Sequence, residues 1–140
     1  MFSDKTDDRY GYFASRNFYV ICEDPTLMTS VFYKLRHKDS MLSYVKRFGE
    51  HSVTRIKDVS LGYDSKTDEI PRDKAVSPSG EMITFELDGS TVMTLRGSGT
   101  EPKLKYYIES KGEKMAHVMA KAEDVERALN EVFREFGLNT

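Results

Sequence analysis

The fold of this 140-residue chain is decided by Met82-Ile-Thr-Phe-Glu-Leu-Asp-Gly-Ser-Thr-Val-Met-Thr-Leu95. Two runs of apolar and β-branched residues flank Asp88-Gly89, a dipeptide typical of tight hairpin turns because both positions accept positive φ angles. The stretch therefore predicts two antiparallel strands. A third run, from Leu104 to Glu109, alternates apolar with polar residues, and we expect it to pair with the second strand.

A helix is predicted upstream, after a short strand from Phe18 to Cys22. Asp24 is a suitable N-cap, Pro25 suits the first helical position, and the pattern ends near Arg36 and His37. Apolar residues at three- and four-residue spacing give this helix one apolar face. They are Leu27, Met28, Val31, Phe32 and Leu35.

A further strand is predicted from about residue 52 to residue 60. Its apolar residues Val53, Ile56 and Val59 do not alternate cleanly, which indicates either a β-bulge or a strand that is buried irregularly. The next segment, from Asp64 to Gly80, has almost no apolar residues and reads as one long polar loop.

The last element is a helix whose apolar period runs from Met115 to Phe136 and stops at Gly137. The predicted order is β-α-β-β-β-β-α, an α+β fold with an antiparallel sheet and two helices packed on one face. Residues 1–16 read as a poorly anchored N-terminal arm and residues 17–140 as the domain proper.

The composition is that of a globular protein with one core, with 39% hydrophobic and 31% charged residues. The 21 Lys and Arg nearly balance the 23 Asp and Glu, and this balance favours neither a nucleic-acid nor a membrane partner. Cys22 is the single cysteine, so no internal disulfide is expected. The first residues do not resemble a signal peptide, and we expect a cytoplasmic location.

The chemistry is concentrated between the last two predicted strands, in Arg96-Gly97-Ser98-Gly99-Thr100 and the nearby Lys105. Glycines let backbone N–H groups approach an anion, the two hydroxyls add donors, and a guanidinium can hold two phosphate oxygens at once. This pattern favours a phosphate site. The alternative is a flexible turn with cations in solvent. A Walker-type nucleotide loop is disfavoured because the required Lys-Ser/Thr ending is absent.

The string Arg96-Gly-Ser-Gly-Thr-Glu-Pro-Lys-Leu-Lys-Tyr-Tyr107 resembles the C-terminal phosphate-binding signature of the α-D-phosphohexomutase superfamily. It is most similar to the phosphopentomutase, phosphoglucomutase-2-like and glucose-1,6-bisphosphate synthase branch. The likeness extends to Tyr10-Gly-Tyr12, Asp58 to Asp64 and Met82 to Phe85, and so covers the chain from residue 10 to its end.

The resemblance implies a fourth, C-terminal domain with a TATA-binding-protein-like fold, preceded by three domains that carry the catalytic phosphoserine, metal and sugar-selecting loops. It implies that Arg96, Ser98, Gly99 and Thr100 hold the non-transferring phosphate of a sugar phosphate. Gly97 belongs to the same loop, and Lys105 stands where many relatives have arginine. Phosphate or sulfate alone should also bind there.

The resemblance assigns no catalytic or metal-binding residue to this chain, and the isolated chain is expected to be inactive. Mg²⁺ and a glucose 1,6-bisphosphate activator are implied for the full-length enzyme, with no cofactor in this chain. A stand-alone anion-binding or protein-interaction module is the alternative. Hexose or pentose preference, mutase or synthase activity and oligomeric state all stay open. The three histidines, His37, His51 and His117, are expected to be surface or capping residues.

Overall fold

A computed structural model describes residues 2–7, 11–37, 43–67, 80–98 and 101–138. The strands are β1 Phe2–Asp7, β2 Gly11–Ile21, β3 Arg47–Phe48, β4 His51–Asp58, β5 Tyr63–Asp64, β6 Met82–Leu87, β7 Thr91–Gly97 and β8 Lys103–Gly112; the helices are α1 Pro25–Arg36 and α2 Met115–Glu135. The strands form an antiparallel sheet in the order β1-β2-β8-β7-β6-β4-β3, with β5 beside β4. The predicted α+β class is confirmed, and the predicted elements occur in the predicted order, with β1, β3 and β5 as additional strands. Most of the predicted polar loop lies outside the described residues.

The core lies between the sheet and the two helices. The central strands bury every second side chain on the helix-facing side, as their alternating pattern predicts. Those side chains are Ile83, Phe85, Leu87, Met93, Leu95, Leu104, Tyr106 and Ile108. They join the buried faces of α1 and α2 in one cluster that also contains Cys22. None of the helices in the described ranges combines the length and apolar content needed to cross a membrane.

Helix α1 begins and ends where its sequence signals place it. The Asp24 carboxylate accepts the backbone N–H of Thr26 at 2.8 Å, and Pro25 occupies the first turn. At the other end the N–H of His37 donates to the carbonyl of Tyr33, and the His37 imidazole stacks on the Tyr33 ring at 4.0 Å. The capping role expected for His37 is confirmed.

The predicted irregularity in β4 is also confirmed. The register between β4 and β6 shifts between Val53 and Arg55, as expected for a bulge that lets an extra residue enter one strand. The shift explains why Val53 and Ile56 lie three residues apart and are both packed against the core.

The hairpin between β6 and β7 turns at Asp88 and Gly89, which have φ angles of 53° and 72°. The N–H of Ser90 donates to the carbonyl of Leu87 and closes the turn. The positive φ at two successive positions is the conformation that the Asp-Gly dipeptide tolerates and most other residues resist.

The N-terminal segment differs from the expected unanchored arm. β2 begins at Gly11 and pairs with β8 from Tyr12 onward, while β1 pairs back onto the first half of β2. The expected boundary after residue 16 therefore falls inside a strand. The apolar alternation of this strand is weak because only Ala14 is buried between Gly11 and Asn17, with Tyr12 packed partly buried against the core. Gly11 is needed at the start, because an added Cβ would lie 2.3 Å from the Gly112 carbonyl oxygen.

His51 is buried and not on the surface, which corrects the sequence expectation. Its Nδ1 lies 2.9 Å from Asp88 and its Nε2 lies 2.6 Å from Asp124 of α2. Lys121 adds an ion pair to Asp88 at 2.6 Å. Three elements distant in sequence are joined at this point, so no local pattern could have revealed the role of His51.

Asp88 should make the fold sensitive to acid. The Lys121 ammonium, together with hydrogen bonds from His51 and the Ser52 N–H, lowers the pKa of Asp88 from 3.8 to about 2. A depressed carboxyl pKa contributes stability that is present above the unfolded value and lost as the pH falls toward the folded one. We expect the urea midpoint to fall between pH 5 and pH 3, and to fall less in Asp88→Asn.

Asparagine also tolerates positive φ, so the turn should survive this substitution. Glu50→Gln, at an exposed carboxylate elsewhere, should keep the wild-type pH dependence. An Asp88→Asn variant with the wild-type slope between pH 5 and pH 3 would contradict the assignment.

Candidate functional site

The candidate site is at the ends of β7 and β8, where the register places Arg96 opposite Lys105. Both side chains are on the sheet face away from the helices, because their neighbours Leu95 and Leu104 are buried on the helix side. Lys105 is also opposite Tyr19 of β2, so Arg96, Lys105 and Tyr19 form a row across three strands. The structure therefore brings together the two cations that the sequence selected.

Backbone hydrogen bonds from Gly97 and Ser98 fix the start of the loop between β7 and β8. The N–H of Gly97 donates to the carbonyl of Glu81 at 2.9 Å, and the N–H of Ser98 donates to the carbonyl of Lys103 at 3.0 Å. The Ser98 hydroxyl oxygen accepts the N–H of Glu101 at 3.2 Å. The backbone N–H groups of Gly97 and Ser98 are thus engaged within the protein. The Ser98 hydroxyl, which only accepts in this contact, keeps its own hydrogen for a further partner. Gly99 and Thr100 lie outside the described residues.

Lys103 is a third cation that the sequence analysis did not select. Its Nζ lies 4.1 Å from the centre of the Tyr19 ring and 2.8 Å from a Glu101 oxygen. The other Glu101 oxygen lies 3.9 Å from Lys105. Lys103 lowers the pKa of Glu101, and Glu101 raises the pKa of Lys103. Two lysines thus contact the Glu101 carboxylate, and Arg96 lies opposite Lys105, so that three cations and one carboxylate leave an excess of positive charge.

A buried ionic cluster lies behind the loop. Arg36 donates to both oxygens of Asp58 at 2.7 and 3.0 Å, and its Nη2 lies 2.8 Å from Glu81. The Tyr44 hydroxyl donates to Asp58 at 2.7 Å. Burial disfavours the charge on Arg36, but its hydrogen bonds to the two carboxylates outweigh that cost and raise its pKa. Burial also raises the pKa of Glu81 and Tyr44.

The cluster is connected to the site through Glu81. The side chain of Glu81 faces Arg36, while its backbone carbonyl holds the N–H of Gly97. The end of α1, the end of β4 and the approach to β6 thus determine where the loop leaves β7. No sequence pattern indicated this connection, because Arg36, Asp58 and Glu81 belong to three separate segments.

Arg36→Met should destabilise the domain by about 3–5 kcal/mol, because it leaves two buried carboxylates without their cation. The free energy of unfolding from urea titration at pH 7 measures this. Arg47→Met, at an exposed arginine of β3, is the matched control and should change stability by less than about 0.5 kcal/mol. Equal effects of the two substitutions would contradict the role given to the buried cluster.

The fold and the glycine-containing loop between its last two strands define a phosphomutase C-terminal domain. The family model described as "Phosphoglucomutase/phosphomannomutase, C-terminal domain" matches residues 55–128, and the chain belongs to this family. The matched segment runs from β4 into α2 and includes the whole candidate loop.

Curated relatives agree with this assignment. The chain is 35% identical over 122 residues to a "Probable phosphoribomutase" of Schizosaccharomyces pombe, which covers 86% of this chain and 21% of the relative. It is 41% identical over 105 residues to the human "Glucose 1,6-bisphosphate synthase", in a match that covers 75% of this chain and 17% of the relative. It is 42% identical over 103 residues to the human "Phosphopentomutase", in a match that covers 71% of this chain and 16% of the relative. The chain thus spans about a fifth or less of the length of these relatives.

Proposed function

We propose that this chain is the phosphate-gripping domain of an enzyme that interconverts sugar 1-phosphates with sugar 6- or 5-phosphates. The observation that carries the proposal is the pairing of Arg96 with Lys105 beside the Ser98 loop, in the family shown above. The excess of positive charge suits a phosphate monoester, which carries up to two negative charges at neutral pH. A guanidinium can hold two of its oxygens, with lysine acting as a point charge.

The proposed role is to hold one phosphate while the other reacts. A sugar with a fixed phosphate at one end presents its other end in a defined orientation, so that binding energy remote from the reacting atom is used for positioning. Arg96 and Lys105 would hold the charge, and the Ser98 O–H would donate to a phosphate oxygen. Gly99 and Thr100 stay in the proposal as further contacts.

The remaining chemistry is proposed to reside in preceding domains of a longer protein. Mg²⁺ would assist phosphoryl transfer there, with glucose 1,6-bisphosphate as activator. Among the residues that the structure describes, no group of three or more His, Cys, Asp and Glu is arranged to hold a metal ion. The proposal accordingly assigns Mg²⁺ to no residue of this chain. The names of the relatives suggest pentose phosphates or hexose bisphosphates as substrates, and the sugar would be selected outside this domain.

Arg96→Ala should abolish phosphate binding and leave the fold intact, because Arg96 is exposed on the sheet. Titration of the ¹⁵N-labelled chain with glucose 1,6-bisphosphate should shift the amides of Ser98, Gly99 and Thr100 first. The open site suggests a dissociation constant no lower than about 1 mM. Arg47→Ala is the matched control. Shifts that survive Arg96→Ala would contradict the phosphate-binding role proposed for Arg96.

Glu101→Gln should tighten phosphate binding by about two- to fivefold, because the carboxylate competes with the anion for Lys103 and Lys105. The effect should shrink in 0.5 M salt, where exposed charges are screened. Glutamine keeps the size of the side chain, so a loss of affinity would instead assign Glu101 a structural role in the loop.

The isolated chain should not convert glucose 1-phosphate to glucose 6-phosphate, because the proposed site holds and orients a phosphate without transferring it. A coupled assay with Mg²⁺ and glucose 1,6-bisphosphate tests this. Measurable turnover by the pure chain would overturn the proposed division of labour, whereas phosphate binding without turnover would support it.

A further inference from the structure

Glu81 carries a carboxylate that is buried behind the loop between β7 and β8, with an exposed fraction of 2%. The backbone on either side of it is fixed, because the Ser60 hydroxyl donates to the carbonyl of Gly80 at 2.9 Å and accepts the N–H of Met82 at 2.7 Å. The carbonyl of Glu81 itself accepts the N–H of Gly97, where the loop begins. The carboxylate is thus held in the interior, close to the start of the loop.

The buried cluster around Glu81 has one negative charge in excess when both of its carboxylates are ionised. Two carboxylates meet one guanidinium there, and the other groups that face them are neutral hydroxyls. A net charge in the interior is costly, and the uptake of one proton removes it. The groups that surround Glu81 are Arg36 of α1, Tyr44, Asp58 of β4 and Ser60, with the Tyr63 ring of β5 stacked on Tyr44.

The proton belongs on Glu81 and not on Asp58, because the two carboxylates differ in the hydrogen bonds that they accept. Asp58 accepts two from Arg36, one from the Tyr44 hydroxyl and one from the N–H of Leu61. The Oε1 of Glu81 lies 2.8 Å from Nη2 of Arg36 in an ion pair, but it accepts no aligned hydrogen bond within the described part of the chain. Hydrogen bonds favour the ionised form of a carboxyl group. Burial raises the pKa of Glu81.

The charge on Glu81 acts on any anion that is held beside Arg96. Met82, the next residue after Glu81, lies opposite Arg96 in the register of β6 and β7. An ionised Glu81 repels such an anion through the protein interior, which weakens electrostatic forces less than water does. A neutral carboxyl group exerts no such repulsion. A bound anion and a proton on Glu81 therefore favour each other, and by thermodynamic linkage this coupling is equal in both directions.

We propose that Glu81 is the proton-binding residue behind the phosphate site, so that an anion binds beside Arg96 with uptake of up to one proton by the buried cluster. The affinity for an anion then rises as the pH falls through the range in which Glu81 titrates. Glu81 does not touch the anion, and acts through the charge of the cluster and the position of the loop. Because it concerns the same site, this coupling rests on the proposed phosphate function.

Inorganic sulfate is the probe for this coupling. It stays a dianion between pH 7.5 and pH 5.5, whereas a phosphate monoester itself takes up a proton near pH 6. Titration of the ¹⁵N-labelled 140-residue chain at constant ionic strength, followed at the Ser98 amide, should give about three- to fivefold tighter binding at pH 5.5 than at pH 7.5. Glu81→Gln, which has the shape of the neutral carboxyl group, should bind sulfate equally well at both pH values.

Matched variants separate Glu81 from other groups that titrate. Glu101 keeps its charge over this pH range, because Lys103 lowers its pKa. His37 follows Arg36 in the chain, and His37→Gln should retain the pH dependence of the wild-type chain. Glu50→Gln, at an exposed carboxylate between β3 and β4, should retain it as well. Loss of the pH dependence in His37→Gln would assign the proton to the imidazole and overturn the role of Glu81.

Calorimetry measures the proton directly. Sulfate binding near pH 6, compared in two buffers of different ionisation enthalpy, should show proton uptake by the wild-type chain and none by Glu81→Gln, a difference that a purely structural role would not produce. If Glu81→Gln does not fold, proton uptake by His37→Gln provides the same test, and its absence overturns the proposal.

The outcomes distinguish this proposal from the phosphate function on which it rests. Sulfate binding with the same pH dependence in the wild-type chain and in Glu81→Gln overturns the coupling and leaves the phosphate site in place. Sulfate that binds at neither pH, or that still binds to Arg96→Ala, overturns the phosphate site and the coupling together.

Discussion

One buried cation holds the described structure together. Arg36 faces Asp58 and Glu81, and its removal would leave carboxylates that neither water nor another cation could neutralise at low cost. Because Arg36 ends α1, Asp58 ends β4 and Glu81 precedes β6, a single guanidinium fixes the positions of three elements. The loop that follows β7 is held by the same arrangement, through the carbonyl of Glu81. The geometry of this surface loop thus depends on a polar interaction in the interior.

The candidate site combines a rigid part and a variable part. Arg96 and Lys105 come from paired strands, and their separation is determined by the sheet register, which cannot slip without exposing Leu95 and Leu104. The carboxylate of Glu101, by contrast, is exposed and paired with lysines through contacts that salt can screen. A phosphate would meet cations already in position and would have to displace one exposed ion pair. Competition with this ion pair favours weak binding, in line with the dissociation constant of about 1 mM or higher expected for the proposed phosphate site.

The amino-acid sequence by itself determined the elements whose signals are local. The Asp24 cap, the Asp88-Gly89 turn, the β4 bulge and the alternation in β8 were all predicted, because each depends on the intrinsic conformational preference or periodicity of neighbouring residues. The candidate cations were found for the same reason: the loop that carries them is continuous in the chain.

Only the tertiary structure decided what depends on segments far apart. The buried position of His51 between Asp88 and Asp124, the Arg36 cluster and the contact of Lys103 with Tyr19 join residues that no periodicity relates. The first half of β2 was missed because only Tyr12 and Ala14 mark its core face, and its pairing partner in β8 lies 92 to 100 residues downstream. Burial and register are properties of the assembled sheet, and for that reason they cannot be read from any one segment.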